Sequence, residues 1–145
     1  MKMMQHKFVS TIPEHTVPGM LYISLEYCTA AHRCACGCGS EVVTPISPTD
    51  WELNFNGKVV SLYPSIGNWN FKCQSHYWIK KGEIQWAGKW SEQEIADGRE
   101  QDTKRKQKYF EATAISPVQN LELQKEKKVY KTKWWKPVAN FLGIH

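Results

Sequence analysis

Apolar and polar positions alternate through most of the first ninety residues, and the alternation stops abruptly after them. The run Met20-Leu-Tyr-Ile-Ser-Leu-Glu-Tyr27 is rich in strand formers and predicts a first strand, which would carry Cys28 as a small core residue. Thr29-Ala-Ala-His32 reads as a crossing into a Cys-Gly cluster. Glu41-Val-Val-Thr44 reads as a short strand stopped by Pro45 and Pro48. Trp51–Phe55 and Lys58–Tyr63 alternate on either side of Asn56-Gly57, a strong hairpin signal. Pro64-Ser-Ile-Gly-Asn68 reads as a loop. His76–Ile79 and Glu83–Trp86 predict a second hairpin turning on Gly82.

Ser91-Glu-Gln-Glu94 is a capping-box pattern and predicts a helix to about Ala114, and Ser116-Pro117 predicts a second over roughly 117–135. Apolar positions on both helices are sparse, whereas Trp134-Trp135 and Val138–Leu142 are strongly apolar and suited to docking. The expected fold class is therefore α+β: a small antiparallel β domain built from hairpins, residues 1–90, followed by a helical C-terminal extension, residues 91–145.

Length and composition fit this picture without enlarging it: 145 residues with a hydrophobic fraction of 41% make one modest core. No stretch approaches the roughly 20 apolar residues of a membrane span, and the N-terminus lacks a continuous apolar signal region. A soluble cytoplasmic protein is expected. The net charge of +5 lies entirely in the tail from Arg99 onward, since residues 1–98 hold 8 basic and 9 acidic side chains and residues 99–145 hold 11 and 5. Such a basic tail with Trp134-Trp135 raises nucleic acid as a partner, but a near-neutral β domain argues against it, and a solvated helical face is the commoner explanation.

The cysteines change the picture most. Cys34-Ala-Cys36-Gly-Cys38-Gly39 cannot easily pair within itself as disulfides, and its glycines permit the left-handed turns of a tight ligand loop. Zinc takes four soft or borderline ligands in a tetrahedron. The favoured set is Cys34, Cys36, Cys38 and Cys73, a structural Zn2+ site; a set of Cys36, Cys38, Cys73 and His76 is the alternative. The all-cysteine set would leave His76 free for other chemistry.

With these residues in hand, Ala30-Ala-His-Arg-Cys-Ala-Cys-Gly-Cys-Gly39, Val42-Val-Thr-Pro-Ile-Ser-Pro48, Pro64-Ser-Ile-Gly-Asn-Trp69 and Cys73-Gln-Ser-His-Tyr-Trp-Ile79 together resemble a small bacterial family, the BubE-type proteins of bacterial ubiquitination-like (Bub) operons. The resemblance covers roughly residues 20–100. It implies a deubiquitinase-like, serine-dependent peptidase that processes or deconjugates a ubiquitin-like protein at its C-terminus. The implied partners are that protein and its E1-like and E2-like conjugation enzymes.

Hydrolysis of that kind needs a hydroxyl nucleophile, an imidazole within reach of it and donors for an oxyanion. Ser65 and Ser75 are the candidate nucleophiles, and His76 and His32 the candidate bases. Neighbours Ser75 and His76 would point to opposite faces of a strand, so Ser65 with His76, or Ser75 with His32, are the better pairings. Asn68 could add a side-chain donor, and Asp50 or Glu26 an acidic partner. Against this, a loop serine is usually a turn residue, and a histidine beside a thiol cluster is often a ligand or a ligand's hydrogen-bond partner. A zinc hydrolase is disfavoured by the closed thiolate set and the lack of an H-E-x-x-H helix pair. A cysteine peptidase using Cys34 or Cys38 is disfavoured by the crowding of thiolates. The competing reading is a non-catalytic zinc-stabilised protein-binding module of the same conjugation pathway, with the tryptophan-rich sheet as its recognition face.

Overall fold

A computed structural model describes residues 2–114. Nine strands form two sheets, and one helix follows them. Strand β1 (Lys2–Met3) belongs to one sheet and β2 (Gln5–Phe8) to the other, so the chain crosses between them at Met4, which is buried. The four-stranded sheet has the order β2, β3 (Met20–Ser24), β4 (Thr29–Arg33), β5 (Glu41–Pro45). The five-stranded sheet has the order β1, β9 (Glu83–Trp86), β8 (His76–Lys80), β7 (Val60–Gly67), β6 (Glu52–Phe55). All pairings are antiparallel except β2 with β3, a parallel pair. The fold is α+β, as expected, and the compact unit that holds both sheets runs Met1–Thr103.

Leu21 and Ile23 of β3, Ala30 of β4, Val42 of β5, Val60, Leu62 and Ile66 of β7, Tyr77 and Ile79 of β8 and Ile84 of β9 make one core, joined by Cys34 and Ala35. Two one-sided sheets bury these positions against each other.

The predicted hairpins form. Phe55 pairs with Val60, and the Asn56 side-chain carbonyl accepts the amides of Lys58 (3.0 Å) and Val59 (3.0 Å), closing a longer turn than the Asn-Gly pair alone would give. Lys81 (φ 50°) and Gly82 (φ 77°) both take left-handed angles, which makes the β8–β9 turn a two-residue type I′ turn matched to strand twist.

Three expectations are corrected. The first strand stops at Ser24, and Leu25 to Cys28 form a turn in which Leu25, Tyr27 and Cys28 are exposed, Cys28 at φ 45°. Alternation carried past Ser24 into residues that face solvent, so Cys28 is a turn residue and not core. Thr29–Arg33 is a strand rather than a crossing; its central Ala30, Ala31 and His32 are all buried, which removes the alternation that marks a half-exposed strand. Pro64–Gly67 continue β7 rather than forming a loop.

Helix α1 (Glu92–Thr113) begins at the capping box: the Ser91 amide donates to the Glu94 carboxylate (2.7 Å) and the Glu94 amide to the Ser91 hydroxyl (3.3 Å). It buries no residue fully, as its sparse apolar stripe implies. The expected second helix and the apolar C-terminal segment lie outside the described residues. Among the described residues no helix is long and apolar enough to cross a membrane.

Candidate active site and thiol cluster

After β4 the chain doubles back over Cys34 to Ser40. The Cys34 amide donates to the Ser40 carbonyl (2.8 Å), the Gly37 amide to the Cys34 carbonyl (3.0 Å), and the Arg33 guanidinium to the Gly39 carbonyl (2.7 Å). Gly37 (φ 88°) and Gly39 (φ 81°) take the left-handed angles that a side chain would oppose. The loop turns Cys34, Cys36 and Cys38 toward Cys73, and the four sulfurs lie within 4.8 Å of one another. Cys34 stands 3.3 Å from Cys36 and 4.0 Å from Cys73, and Cys38 stands 3.7 Å from Cys73. Thiolates bound tetrahedrally at about 2.3 Å sit about 3.8 Å apart, so the spacing fits a metal ion. None of the four is in a disulfide.

Desolvation among the crowded sulfurs pushes the Cys36 thiol up to about 12, while the Ser40 hydroxyl and amide hold Cys38 down at about 6. These four residues could hold a metal ion. His76 is not among them.

Behind the sulfurs runs a buried polar chain. The Ser75 hydroxyl is 3.0 Å from Cys34 Sγ and accepts from Asn68 Nδ2 (2.9 Å). Asn68 Nδ2 also lies 3.4 Å from the Tyr77 hydroxyl, which is 2.8 Å from His32 Nε2. Ser75 and His32, expected as one possible pair, are therefore separated by Asn68 and Tyr77. Asn68 spends its amide on this chain rather than on Ser65. Burial drives the His32 pKa down to about 4, so its imidazole is neutral, and its Nδ1 has no hydrogen-bond partner. Hydroxyl and amide donors beside ligating thiolates orient them, which is the role this arrangement suits.

The other pair does meet. Leu62 of β7 pairs with Ile79 and Ile66 pairs with Tyr77, so Tyr63, Pro64 and Ser65 stand opposite the single residue Trp78. Such a bulge bends the strand and re-aims its side chains, and it tolerates Pro64, which has no amide to give the ladder. Ser65 is half-buried, and its Oγ lies 2.9 Å from Nε2 of His76 on the neighbouring strand. The opposite ring nitrogen, Nδ1, lies 3.1 Å from the Gly88 carbonyl. A carbonyl only accepts, so Nδ1 carries the proton and Nε2 is left as the acceptor for the serine hydroxyl. A second-face partner for the imidazole is thus a backbone oxygen and not Asp50, whose carboxylate accepts from Ser47 (2.6 Å), nor the exposed Glu26.

Aromatic rings surround the imidazole. Trp69 and Trp90 stack on each other (centroids 5.3 Å, 20° between planes), and both meet His76 edge-on, at 4.9 Å and 5.0 Å. Trp78 lies 5.8 Å away on the same strand face. The Trp69 indole rests on Gly67 so closely that any Cβ there would collide with it.

A family model described as bacterial ubiquitination-like system serine protease (BubE) matches residues 8–87, over half of the chain. The chain belongs to the BubE family. No curated protein and no solved structure matches it. The family's printed description makes a protease of a bacterial ubiquitination-like system the coarse functional class. All eight chemistry-bearing residues singled out from the sequence lie inside the segment matched to BubE. Gly88 and Trp90, which contact His76, lie just beyond it; the sequence offered Trp90 only as part of an aromatic recognition face and gave no sign of Gly88. A carbonyl oxygen has no residue-type signature, but Gly88-Lys-Trp90, a bulky ring held one step before a capping box, was a visible clue.

Proposed function

We propose that this BubE-family chain is a serine peptidase that cleaves at the C-terminus of a bacterial ubiquitin-like protein, to mature its precursor or to release its conjugates. Ser65 is the nucleophile and His76 the general base. The observation that carries the reading is the bridging imidazole, which faces a serine hydroxyl through Nε2 and a fixed carbonyl through Nδ1.

In the reaction, Ser65 Oγ attacks the scissile carbonyl carbon as His76 Nε2 takes the hydroxyl proton. The carbonyl π-electrons move to its oxygen, and a tetrahedral adduct forms. When the adduct collapses, the bond to the leaving amine or alcohol breaks and His76 returns the proton to it. Water then gives a proton to the same nitrogen as its oxygen attacks the acyl carbon, and the bond to Ser65 Oγ breaks as His76 returns that proton to the serine oxygen. The imidazolium formed midway keeps its Nδ1–H on the Gly88 carbonyl, so the ring need not turn between steps. The aromatic walls formed by Trp69, Trp78 and Trp90 restrict water around the base.

Cys34, Cys36, Cys38 and Cys73 would hold a structural zinc ion, and thiolates kept reduced for that purpose fit the cytoplasm. The bound metal would cross-link the β4–β5 loop to the lead-in of β8. Ser75 and Tyr77, whose hydroxyls face the thiol side, alternate along β8 with His76, which faces Ser65, so the cluster fixes the strand that presents the base.

The test is to incubate the zinc-loaded protein with the ubiquitin-like protein of its own system, carrying a C-terminal extension, and to follow the product by intact mass. Cleavage is expected, with Ser65→Ala slower by about 10³-fold or more and Ser75→Ala retaining cleavage while binding zinc about 10- to 100-fold more weakly. Undiminished cleavage by Ser65→Ala overturns the assignment. Tight binding with no cleavage by the unmodified protein would instead make it a recognition module of the pathway.

A further inference from the structure

The contact that sets the proton on His76 comes from the chain that follows β9, and that chain is held from outside the matched segment. The Ala87 amide donates to the His76 carbonyl (2.9 Å), Gly88 offers its carbonyl to Nδ1, and Trp90 closes over the ring. Residues 87–90 therefore form a strap across the base. Gly98 of α1 bears on it directly, and Arg99 ties the helix to the turn beside Trp69, the ring on which Trp90 stacks. Gly98 lies under the Trp90 ring so closely that a Cβ there would stand 2.9 Å from Cζ3. Arg99 donates to the Asn70 side-chain carbonyl (2.9 Å), in the turn beside Trp69.

Glycine inside a helix is costly to helix formation, because it gains no side-chain contacts and loses the most backbone freedom. Its presence nearly two helical turns into α1 is accounted for by the Trp90 ring, which crowds its Cβ position. The first turns of α1 thus serve as more than a cap after the last strand.

We infer that α1 is a latch for the catalytic base: Gly98 and Arg99 hold the Trp90 strap in place, and the strap's Gly88 carbonyl keeps His76 in the Nδ1–H form that Ser65 requires. The inference takes its catalytic meaning from the peptidase reading. An unrestrained neutral histidine favours the other tautomer, with the proton on Nε2, where it would block acceptance from the serine. Fixing the less favoured tautomer is a task for a rigid acceptor, and an exposed connection of four residues is rigid only if something pins it. Trp90, Gly98 and Arg99 are positioning residues here, since none of them reaches the reacting atoms.

The experiment uses the full zinc-loaded chain with 15N-labelled histidine, reading the His76 tautomer from long-range proton–nitrogen correlations. His76→Gln identifies the signal, and a fluorophosphonate reports the reactivity of Ser65. The unmodified protein should show Nδ1–H and a bare Nε2. Gly98→Leu and Trp90→Ala should move His76 toward Nε2–H and slow Ser65 labelling by roughly 10-fold or more, part of the about 10²- to 10⁴-fold that a placed base supplies. Arg99→Ala, an exposed change that cannot unfold the sheets, should move the tautomer in the same direction, and Arg99→Lys should restore it in part. If His76 keeps Nδ1–H in Gly98→Leu, Trp90→Ala and Arg99→Ala alike, or carries Nε2–H in the unmodified protein, the latch is wrong. Failure of the unmodified protein to react with the fluorophosphonate defeats the peptidase reading instead, and the tautomer shifts still decide whether α1 pins the strap.

Discussion

The molecule holds two serine–histidine sets on opposite faces of one strand, and they differ in everything except residue type. Ser75 and Tyr77 of the β8 region turn inward, toward Cys34 and His32, where every hydroxyl is committed to a sulfur, an amide or an imidazole. His76 turns the other way, toward a serine lifted out of register by a bulge and a carbonyl supplied by a strap. Burial makes the first set a support and drives its histidine to neutrality. In the second set His76 is buried as well, and only the half-buried Ser65 reaches toward solvent. On the proposed reading, environment separates nucleophile from scaffold where composition cannot, because the buried Ser75 hydroxyl is already committed behind the four clustered thiols.

Exchanging the roles of the two histidines is the sharpest way to break this comparison. His76→Ala should lower cleavage of the ubiquitin-like precursor by about 10³-fold with little change in Tm. His32→Ala should do the reverse, lowering Tm by opening a cavity in the core while a properly folded fraction still cleaves. Paired Tm and rate measurements on both variants decide it, and a matching loss of rate in each would erase the distinction. A smaller effect is expected from Tyr77→Phe, which strips His32 Nε2 of its partner inside the core. Denaturant titration should show destabilisation of about 1–3 kcal/mol. A change near zero would mean that the buried chain adds nothing to the support. Least is expected from Cys28→Ser, because the thiol is exposed in a turn and apart from the other four sulfurs: stability should move by no more than about 0.5 kcal/mol, with unchanged metal content by elemental analysis.

Some of this was legible in the chain and some was not, for reasons that differ by element. The β6–β7 and β8–β9 hairpins and the helix start announced themselves because Asn56-Gly57, Lys81-Gly82 and Ser91–Glu94 carry local chemistry that acts over two to four residues. Cys34, Cys36 and Cys38 were readable for the same reason, and Cys73, 39 residues from Cys34, by its residue type. Strand β4 was hidden because burial of three successive residues erases alternation. The Ser65 bulge was hidden because Pro64 and Gly67 are ordinarily strand breakers, and only the partner strand shows that the ladder resumes at Ile66. Both serines and both histidines could be nominated from residue type. Choosing between the pairs required the register of β7 against β8, which is a property of two segments and of neither alone.

The pairing of β1 with β9 has a consequence for how the molecule comes into being. Lys2 meets Ile84 and Met3 meets Glu83, so among the described residues the first strand waits for the last to find its place. Cys34 likewise waits 39 residues for Cys73. Contacts so distant along the chain slow folding and bind its steps into one event. Cluster and sheet alike are completed only when segments far apart along the chain have met, and β8, which carries His76, is set in position only when the domain is whole.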